Sequence, residues 1–370
     1  MKVAVVGLGT MGLGIAQVFA AAGHEVLATD GWAEARESAA ARLRAAIAPR
    51  LAKGAISQDA AEALVARLQV VPDLAGLAGA GLVVEAIAEK VEAKQGLFRQ
   101  LEAVLSPQAV LATNTSSLSV AQIAAGTARP QRVVGLHFFN PAPAMKLVEL
   151  VAHPGSDAPS LALARQVCEG AGKTVVACPD RPGFVVNRCA RPFYGEALAL
   201  LEEGRTAGEV DAAMLAAGYR IGPFALIDLI GADVHLAATE GVWHGMGEHP
   251  RYRIFDALRA AVAAGRLGRK SGQGFIVPGE PGPLPPDAAV MAERIEATLA
   301  NEAGWLLAEG GVTAADIDTA MKLGLNFPRG PFEAAGRIGK ARVAEVLAGL
   351  EARTAFKGRY APCPWLAQES

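Results

Sequence analysis

The chain opens on an apolar strand run that meets a glycine-rich turn, and few folds accept that order. Lys2 to Val6 reads KVAVV, which suits a strand buried on both faces. Gly7-Leu8-Gly9-Thr10-Met11-Gly12 comes next, a GxGxxG. A helical pattern then carries Ile15, Ala16, Phe19 and Ala22 to a stop at Gly23, and a second strand, Glu25 to Thr29, ends in Asp30. Each glycine has its own reason. Gly7 permits the tight turn, Gly9 lets the backbone approach a pyrophosphate, and Gly12 lets the helix pack on the strand. The helix start adds N–H donors and partial positive charge. An acid at the position of Asp30 accepts from a ribose 2′-hydroxyl and repels a 2′-phosphate, and Gly31-Trp32-Ala33 brings no cation to reverse this. The stretch predicts a doubly wound parallel sheet that binds NAD rather than NADP.

A chain of 370 residues can hold two or three domains, and a hydrophobic fraction of 52% argues against disorder. The formal charge of −2 argues against a nucleic-acid or polybasic membrane surface. Cys168, Cys178, Cys189 and Cys363 form no CxxC pair and no metal-ligand spacing, so they read as reduced thiols of a cytoplasmic protein and no metal is expected. Met1-Lys2 runs straight into a strand, which leaves no room for a signal peptide, and no apolar run is long enough to span a bilayer.

From Ala33 to Leu68 the pattern predicts two helices broken at Lys53-Gly54, longer than an ordinary connection. Their basic residues, Arg42, Arg44, Arg50 and Lys53, read either as a projecting arm that meets an anion or as a solvated face. Leu68–Val71 and Gly81–Ile87 read as strands, and Glu85, Glu89 and Lys94 fall near the carboxyl end of the second, where such sheets bind ligands. Ala109–Ala112 is another strand, followed by Asn114 and Ser116, whose polar groups would lie beside a nicotinamide or substrate; the alternative is a cap for the helix near Ser119. Val133 and Val134 then deliver His137 to a strand end that Asn140-Pro141 breaks, and Glu149 sits inside the next apolar run. Histidine moves protons near neutral pH, and a carboxylate on its other nitrogen fixes the tautomer. Alone, the pair also reads as a hydrogen-bonded strand-end histidine and an unrelated acid.

Taken together, GLGTMGLGIA, VVEAIAEK, NTSS, GLHFFNPAPAMKLVEL and DRPGFVVNR occur in one order over Met1 to Phe275. In these motifs the chain resembles the 3-hydroxyacyl-CoA dehydrogenases, NAD-dependent enzymes of β-oxidation, fatty acid metabolism and related degradations. The resemblance implies oxidation of an (S)-3-hydroxyacyl-CoA to the 3-oxoacyl-CoA. It implies His137 as base, Glu149 as its partner, and Ser116, Asn140 and Asn187 as polar contacts to substrate or nicotinamide. It places Glu89, Lys94 and Lys270 near the cofactor, with the glycine turn and Met11. It also implies a helical arm that meets CoA, which makes Arg50 and Lys53 candidate phosphate contacts.

After Lys173–Cys178, the last strand of the first domain, Asp180-Arg181-Pro182-Gly183 marks a boundary. A long helix is predicted from Phe184 to Glu203, with Asn187 in its first turn, and the rest is helical. The α/β Rossmann-type domain therefore covers 1–181, with its arm at 33–68, and an all-α domain covers 182–276. VPGEPGPLPPD at 277–287 is a linker. Residues 288–370 echo the helical domain before them: EALALLEEG at Glu196 recurs as EAGWLLAEG at Glu302, VDAAM at Val210 as IDTAM at Ile317, and Gly222-Pro223-Phe224 as Gly330-Pro331-Phe332. The second copy has Gly336 where the first has Asp228, so it reads as a packing unit rather than a second active site. In this repeat, NFPRGP and PCPWL, the chain resembles the longer bacterial members, which include 3-hydroxyadipyl-CoA dehydrogenases. Short members of the family pair through one helical domain per chain, so the expected state is a homodimer or a monomer whose second copy replaces that contact. Two other readings keep the fold: a dehydrogenase of a free hydroxy acid or sugar acid, and a non-catalytic NAD-binding protein.

Overall fold

The opening run forms β1 (Lys2–Val6) at the middle of an eight-stranded sheet, beside β2 (Glu25–Thr29), β3 (Leu68–Val70), β4 (Leu82–Glu85), β5 (Val110–Thr113), β6 (Val133–Phe138), β7 (Leu147–Ala152) and β8 (Thr174–Pro179). The spatial order is β3-β2-β1-β4-β5-β6-β7-β8. β1 to β6 pair in parallel, β7 runs antiparallel to β6, and β8 is parallel to β7. The strand order reverses between β1 and β4, and ligands bind such sheets at that crevice. This computed structural model describes residues 1–368. The chain divides into two compact units, Met1–Asp180 and Arg181–Ser370.

In the first unit the inner strands are apolar on both sides because helices cover both faces. Val3, Val5, Ile15, Phe19, Val84, Val134 and Leu136 are all closed to solvent in one core. α1 (Thr10–Ala21) begins directly after the glycine turn. β4 is shorter than the apolar run predicts, because the Glu85 carboxylate accepts the N–H of Ile87 and turns the chain out of the sheet. The arm forms α2 (Ala33–Ala52) and α3 (Gln58–Ala66), the latter capped by Ser57. Ala39, Leu43, Ile47, Ala61 and Leu64 join the core, while Arg44, Arg50 and Lys53 face outward. Arg42 is held by Ser38 and the carbonyl of Ala35. α4 (Val91–Val104), α5 (Val120–Ala124) and α6 (Ala158–Gly170) complete this unit.

The second unit is helical. The single helix predicted over Phe184–Glu203 is in fact two, α7 (Val186–Cys189) and α8 (Arg191–Glu202). Pro192 lacks an N–H and crowds the carbonyl four residues back, so the ladder breaks at Ala190. α9 (Ala207–Ala216), α10 (Pro223–Ile230), α11 (Ala232–Gly245) and α12 (Asp256–Ala263) come next, and then α13 (Ala288–Ala308), α14 (Ala314–Leu325), α15 (Pro331–Ile338) and α16 (Lys340–Arg353). Residues 280–285 have no regular structure.

Two acids explain why the Gly-Pro-Phe stretches recur. Asp211 accepts the N–H groups of Phe224 and Ala225 at 2.9 and 2.8 Å. Asp318 does the same for Phe332 and Glu333 at 2.8 and 3.1 Å. Each aspartate thus caps the next helix from the preceding one. Gly222 and Gly330 are needed because a Cβ there would lie 2.3 and 2.2 Å from the carboxylate carbon. The glutamates are reciprocal. Arg188 pairs with Glu302 and Glu309, and Arg294 pairs with Glu196 and Glu203. Arg251 and Tyr252 also end on Glu302, as Arg359 and Tyr360 do on Glu196.

Asp228 is not a site acid. It is buried and accepts the N–H groups of Phe275, Ile276 and Val277 at 2.9, 2.7 and 3.0 Å. Its carboxylate clasps the glycine-rich loop, so Gly336 at the corresponding place marks a missing loop rather than a lost catalytic group.

Candidate active site

β6 and β7 bring His137 directly opposite Glu149 in their antiparallel register. Side chains of opposed residues share a face, so a separation of twelve positions in sequence vanishes in space. His137 Nδ1 lies 2.6 Å from Glu149 Oε2. The imidazole is 6% exposed and the carboxylate fully closed to solvent. An ionised carboxylate only accepts, so Nδ1 carries the proton that faces it and Nε2 is left as the basic nitrogen. The Phe139 ring lies 4.5 Å from the imidazole, centre to centre.

The neighbouring strand end is clamped to this one. Asn114 Oδ1 accepts the N–H of Phe138 at 2.8 Å, which joins the end of β5 to β6 beside His137. Past Asn114, three groups converge on Glu89 Oε1: the Thr115 hydroxyl at 2.5 Å, the Ser116 N–H at 3.0 Å and the Ser117 hydroxyl at 3.3 Å. Lys94 Nζ reaches Glu89 at 3.1 Å and the closed-off Glu85 at 2.6 Å. Burial would raise the Glu89 carboxyl, but Lys94 and these donors outweigh it and hold it below its ordinary value. Ser116 is thereby presented, exposed, from an anchored turn. Lys94 itself is 1% exposed, so it acts on the site through Glu89 rather than by open contact.

At the glycine turn, Gly7 has φ +97° and a Cβ on Gly12 would lie 1.7 Å from the Gly7 carbonyl oxygen. Both positions need glycine for the fold. Gly9 does not: no protein atom lies within 4 Å of a Cβ there, and its backbone is extended. The room beside Gly9 and the absence of a side-chain cap on α1 suit an anion at that helix start. Asp30 accepts the N–H of Leu8 at 2.6 Å and of Trp32 at 2.9 Å, which fixes the carboxylate over the turn. Met11 packs half-buried against the core, and Asn140 is exposed just beyond β6. This set fits a dinucleotide.

Asn187 and Lys270 belong to the second unit. Asn187 lies in α7, where its carbonyl accepts from Arg191 Nε at 2.7 Å. Lys270 is exposed and paired with Asp233 at 2.5 Å. Sequence reasoning missed Thr115, the Glu85–Thr113 hydrogen bond at 2.8 Å and Arg36, which donates to the Asp30 carbonyl one turn into α2. The NTSS stretch contained the signal for Thr115; nothing local marks Arg36. Among the described residues no His, Cys, Asp and Glu cluster could hold a metal, and no helix is long and apolar enough to cross a membrane.

Comparison with known proteins agrees with this geometry. Residues 2–181 match the family model for the NAD binding domain of 3-hydroxyacyl-CoA dehydrogenase, and 183–277 with 291–369 match that for its C-terminal domain. The chain is 35% identical to the 3-hydroxyadipyl-CoA dehydrogenase of Escherichia coli K12, covering 100% of this chain and 97% of the relative. It is 38% identical to human mitochondrial hydroxyacyl-coenzyme A dehydrogenase, over 74% of this chain and 90% of that one. A crystal structure of 3-hydroxybutyryl-CoA dehydrogenase from E. coli K12 superposes with a TM-score of 0.94 at 34% identity, covering 100% of this chain and 98% of that one. The strand-end imidazole and carboxylate, the glycine turn and matches over both units together show that this chain belongs to the 3-hydroxyacyl-CoA dehydrogenase family.

Proposed function

We propose that the chain oxidises the 3-hydroxyl of a 3-hydroxyacyl-CoA with His137 as the base. The observation that carries this reading is the 2.6 Å contact between a buried carboxylate and the imidazole at a strand end. Bound NAD⁺ supplies the hydride acceptor. His137 Nε2 takes the hydroxyl proton as the carbonyl forms, and Glu149 compensates the charge that develops on the ring. Ser116 and Asn187 hold the substrate oxygen. Gly7, Gly9, Met11, Gly12 and Asp30 take the adenosine and pyrophosphate part of NAD, and Glu89, Asn114, Ser116, Asn140 and Lys270 surround its nicotinamide side, with the buried Lys94 acting through Glu89. Arg50 and Lys53, outward on the arm, face the CoA phosphates.

The names of two relatives, 3-hydroxyadipyl-CoA and 3-hydroxybutyryl-CoA dehydrogenase, support acyl groups of four to six carbons. A place in fatty-acid or aromatic-acid degradation in the cytoplasm is part of the same proposal. The domain limits are 1–181, 182–276 and 288–370 around the 277–287 linker. The reciprocal pairing of Arg188 with Glu302 and Arg294 with Glu196 has the form of a twofold contact closed inside one chain, which supports a monomer over a homodimer. Light scattering at a single-chain mass is the expected result.

The deciding assay compares NADH formation from 3-hydroxybutyryl-CoA with that from free 3-hydroxybutyrate. Turnover on the thioester should greatly exceed that on the free acid, and His137→Gln should lose far more than tenfold, about 1.4 kcal/mol of barrier, with NAD affinity kept. Equal rates on the two substrates would transfer the activity to free hydroxy acids.

A further inference from the structure

Four arginines of the second unit are buried: Arg188, Arg191, Arg294 and Arg359. Three of them end on glutamates. Arg191 does not. Its Nε donates to the carbonyl of Asn187 at 2.7 Å and its Nη1 to the Thr239 hydroxyl at 2.9 Å. That hydroxyl passes its own hydrogen to the carbonyl of His235 at 2.8 Å, so it faces Arg191 as a neutral acceptor. Among the described residues no carboxylate pairs with Arg191, and burial pulls its guanidinium below the ordinary value. Beyond these, the guanidinium lies 5.3 Å from the centre of the Tyr194 ring, so no anion offsets it, and a buried charge without a counter-charge is costly. In the matching helix, where Glu302 answers Glu196, Ala297 stands at the place of Arg191.

A small, narrow cleft lies beside this guanidinium. Arg191, Tyr194, His235, Thr239, Arg251 and Arg253 line it, and no acid does. Arg251 and Arg253 are already paired, with Glu302 and Glu202. Burial first, and then Arg191, holds His235 well below its ordinary value, so its ring stays neutral and can donate one N–H. The uncompensated charge on this wall is therefore that of Arg191.

We propose that the cleft binds one small oxyanion of the carboxylate kind, with Arg191 as its counter-charge. A planar guanidinium matches a carboxylate in shape as well as charge. Two sources share that chemistry: a free anion, or a carboxylate at the far end of the substrate's acyl chain. The second source rests on the function proposed above.

The test has two arms, each run on wild type and on Arg191→Met. In the first, glutarate and inorganic phosphate are titrated at constant ionic strength while thermal stability is followed. In the second, kcat/KM is measured for 3-hydroxyadipyl-CoA and for 3-hydroxyhexanoyl-CoA, which differ by a terminal carboxylate against a methyl. A free-anion site gives saturable stabilisation that the Met variant loses. An acyl-carboxylate site gives a preference of about tenfold or more for the adipyl thioester that the variant erases, read as the adipyl-to-hexanoyl ratio so that any effect through Asn187 cancels. Wild type showing neither saturation nor preference overturns the proposal, whether or not the variant folds. Equal loss on both thioesters, with glutarate stabilisation absent from wild type or unchanged in the variant, assigns Arg191 to packing and also overturns it. Inactivity on every thioester with glutarate still saturating keeps the oxyanion site and removes the dehydrogenase reading instead.

Discussion

Glu149→Gln isolates the charge behind the imidazole. The substitution keeps the shape of the side chain and its place opposite His137 in the β6–β7 register. It removes the negative charge that sits 2.6 Å from Nδ1 and is closed to solvent. In the proposed mechanism the imidazole gains a proton during oxidation, and in the variant that charge develops in a buried place without its partner. Removing one member of a buried pair costs about 3–5 kcal/mol. Because the charge on His137 arises in the reaction, that cost falls on the barrier, and about 3 kcal/mol is a factor of about 10² in kcat. The amide can also donate to Nδ1, which would fix the wrong tautomer and deepen the loss. The measurement is the initial rate of NADH formation at saturating NAD⁺, with NAD affinity by fluorescence and thermal stability as controls. Cofactor affinity and Tm should change little. A fall in kcat of less than about tenfold with the fold intact would refute the argument.

The second and third glycines of the turn should separate cofactor from fold. Gly12→Ala, whose methyl meets a carbonyl at 1.7 Å, should destabilise the first unit strongly in a thermal melt, whereas Gly9→Ala should leave Tm unchanged and raise the Kd for NAD at least tenfold. Glu196→Gln removes the carboxylate that answers the buried Arg359 and should cost about 3–5 kcal/mol in denaturant unfolding. Burial would raise the Glu196 carboxyl, but Arg359 and Arg294 outweigh it and hold it below its ordinary 4.5. Its contribution is therefore present above pH 4.5 and fades as pH falls through the lower folded value, so the gap between wild type and variant should narrow in acid. Asp228→Ala removes the acceptor of three backbone N–H groups, each charge-assisted bond being worth about 1.5–3 kcal/mol, and should loosen the Gly268–Val277 loop, read out as faster amide exchange there.

Much of the site is legible in the sequence because its parts are local. Strand, glycine turn, helix and Asp30 are contiguous, and their spacing carries the geometry. His137 and Glu149 can each be picked out by residue type and strand position. Phe184–Glu203 reads as one long helix because apolar periodicity runs on through Pro192, while the backbone cannot. Asp228 looks functional because a lone acid in an apolar run has the same signature whether it meets a ligand or three backbone N–H groups.

The order of residues alone determined the dinucleotide turn, the alternation of strand and helix behind it, and the echo between Glu196 and Glu302. Those come from local conformational limits and periodicity, which neighbours in sequence dictate. Which atoms meet was left to the fold. The antiparallel return of β7 sets Glu149 against His137, Glu89 gathers Thr115, Ser116 and Ser117, and Arg191 keeps its charge where the other buried arginines find glutamates. Side-chain pairing across tens of residues depends on register and crossing helices, and neither is written in any single stretch of the chain.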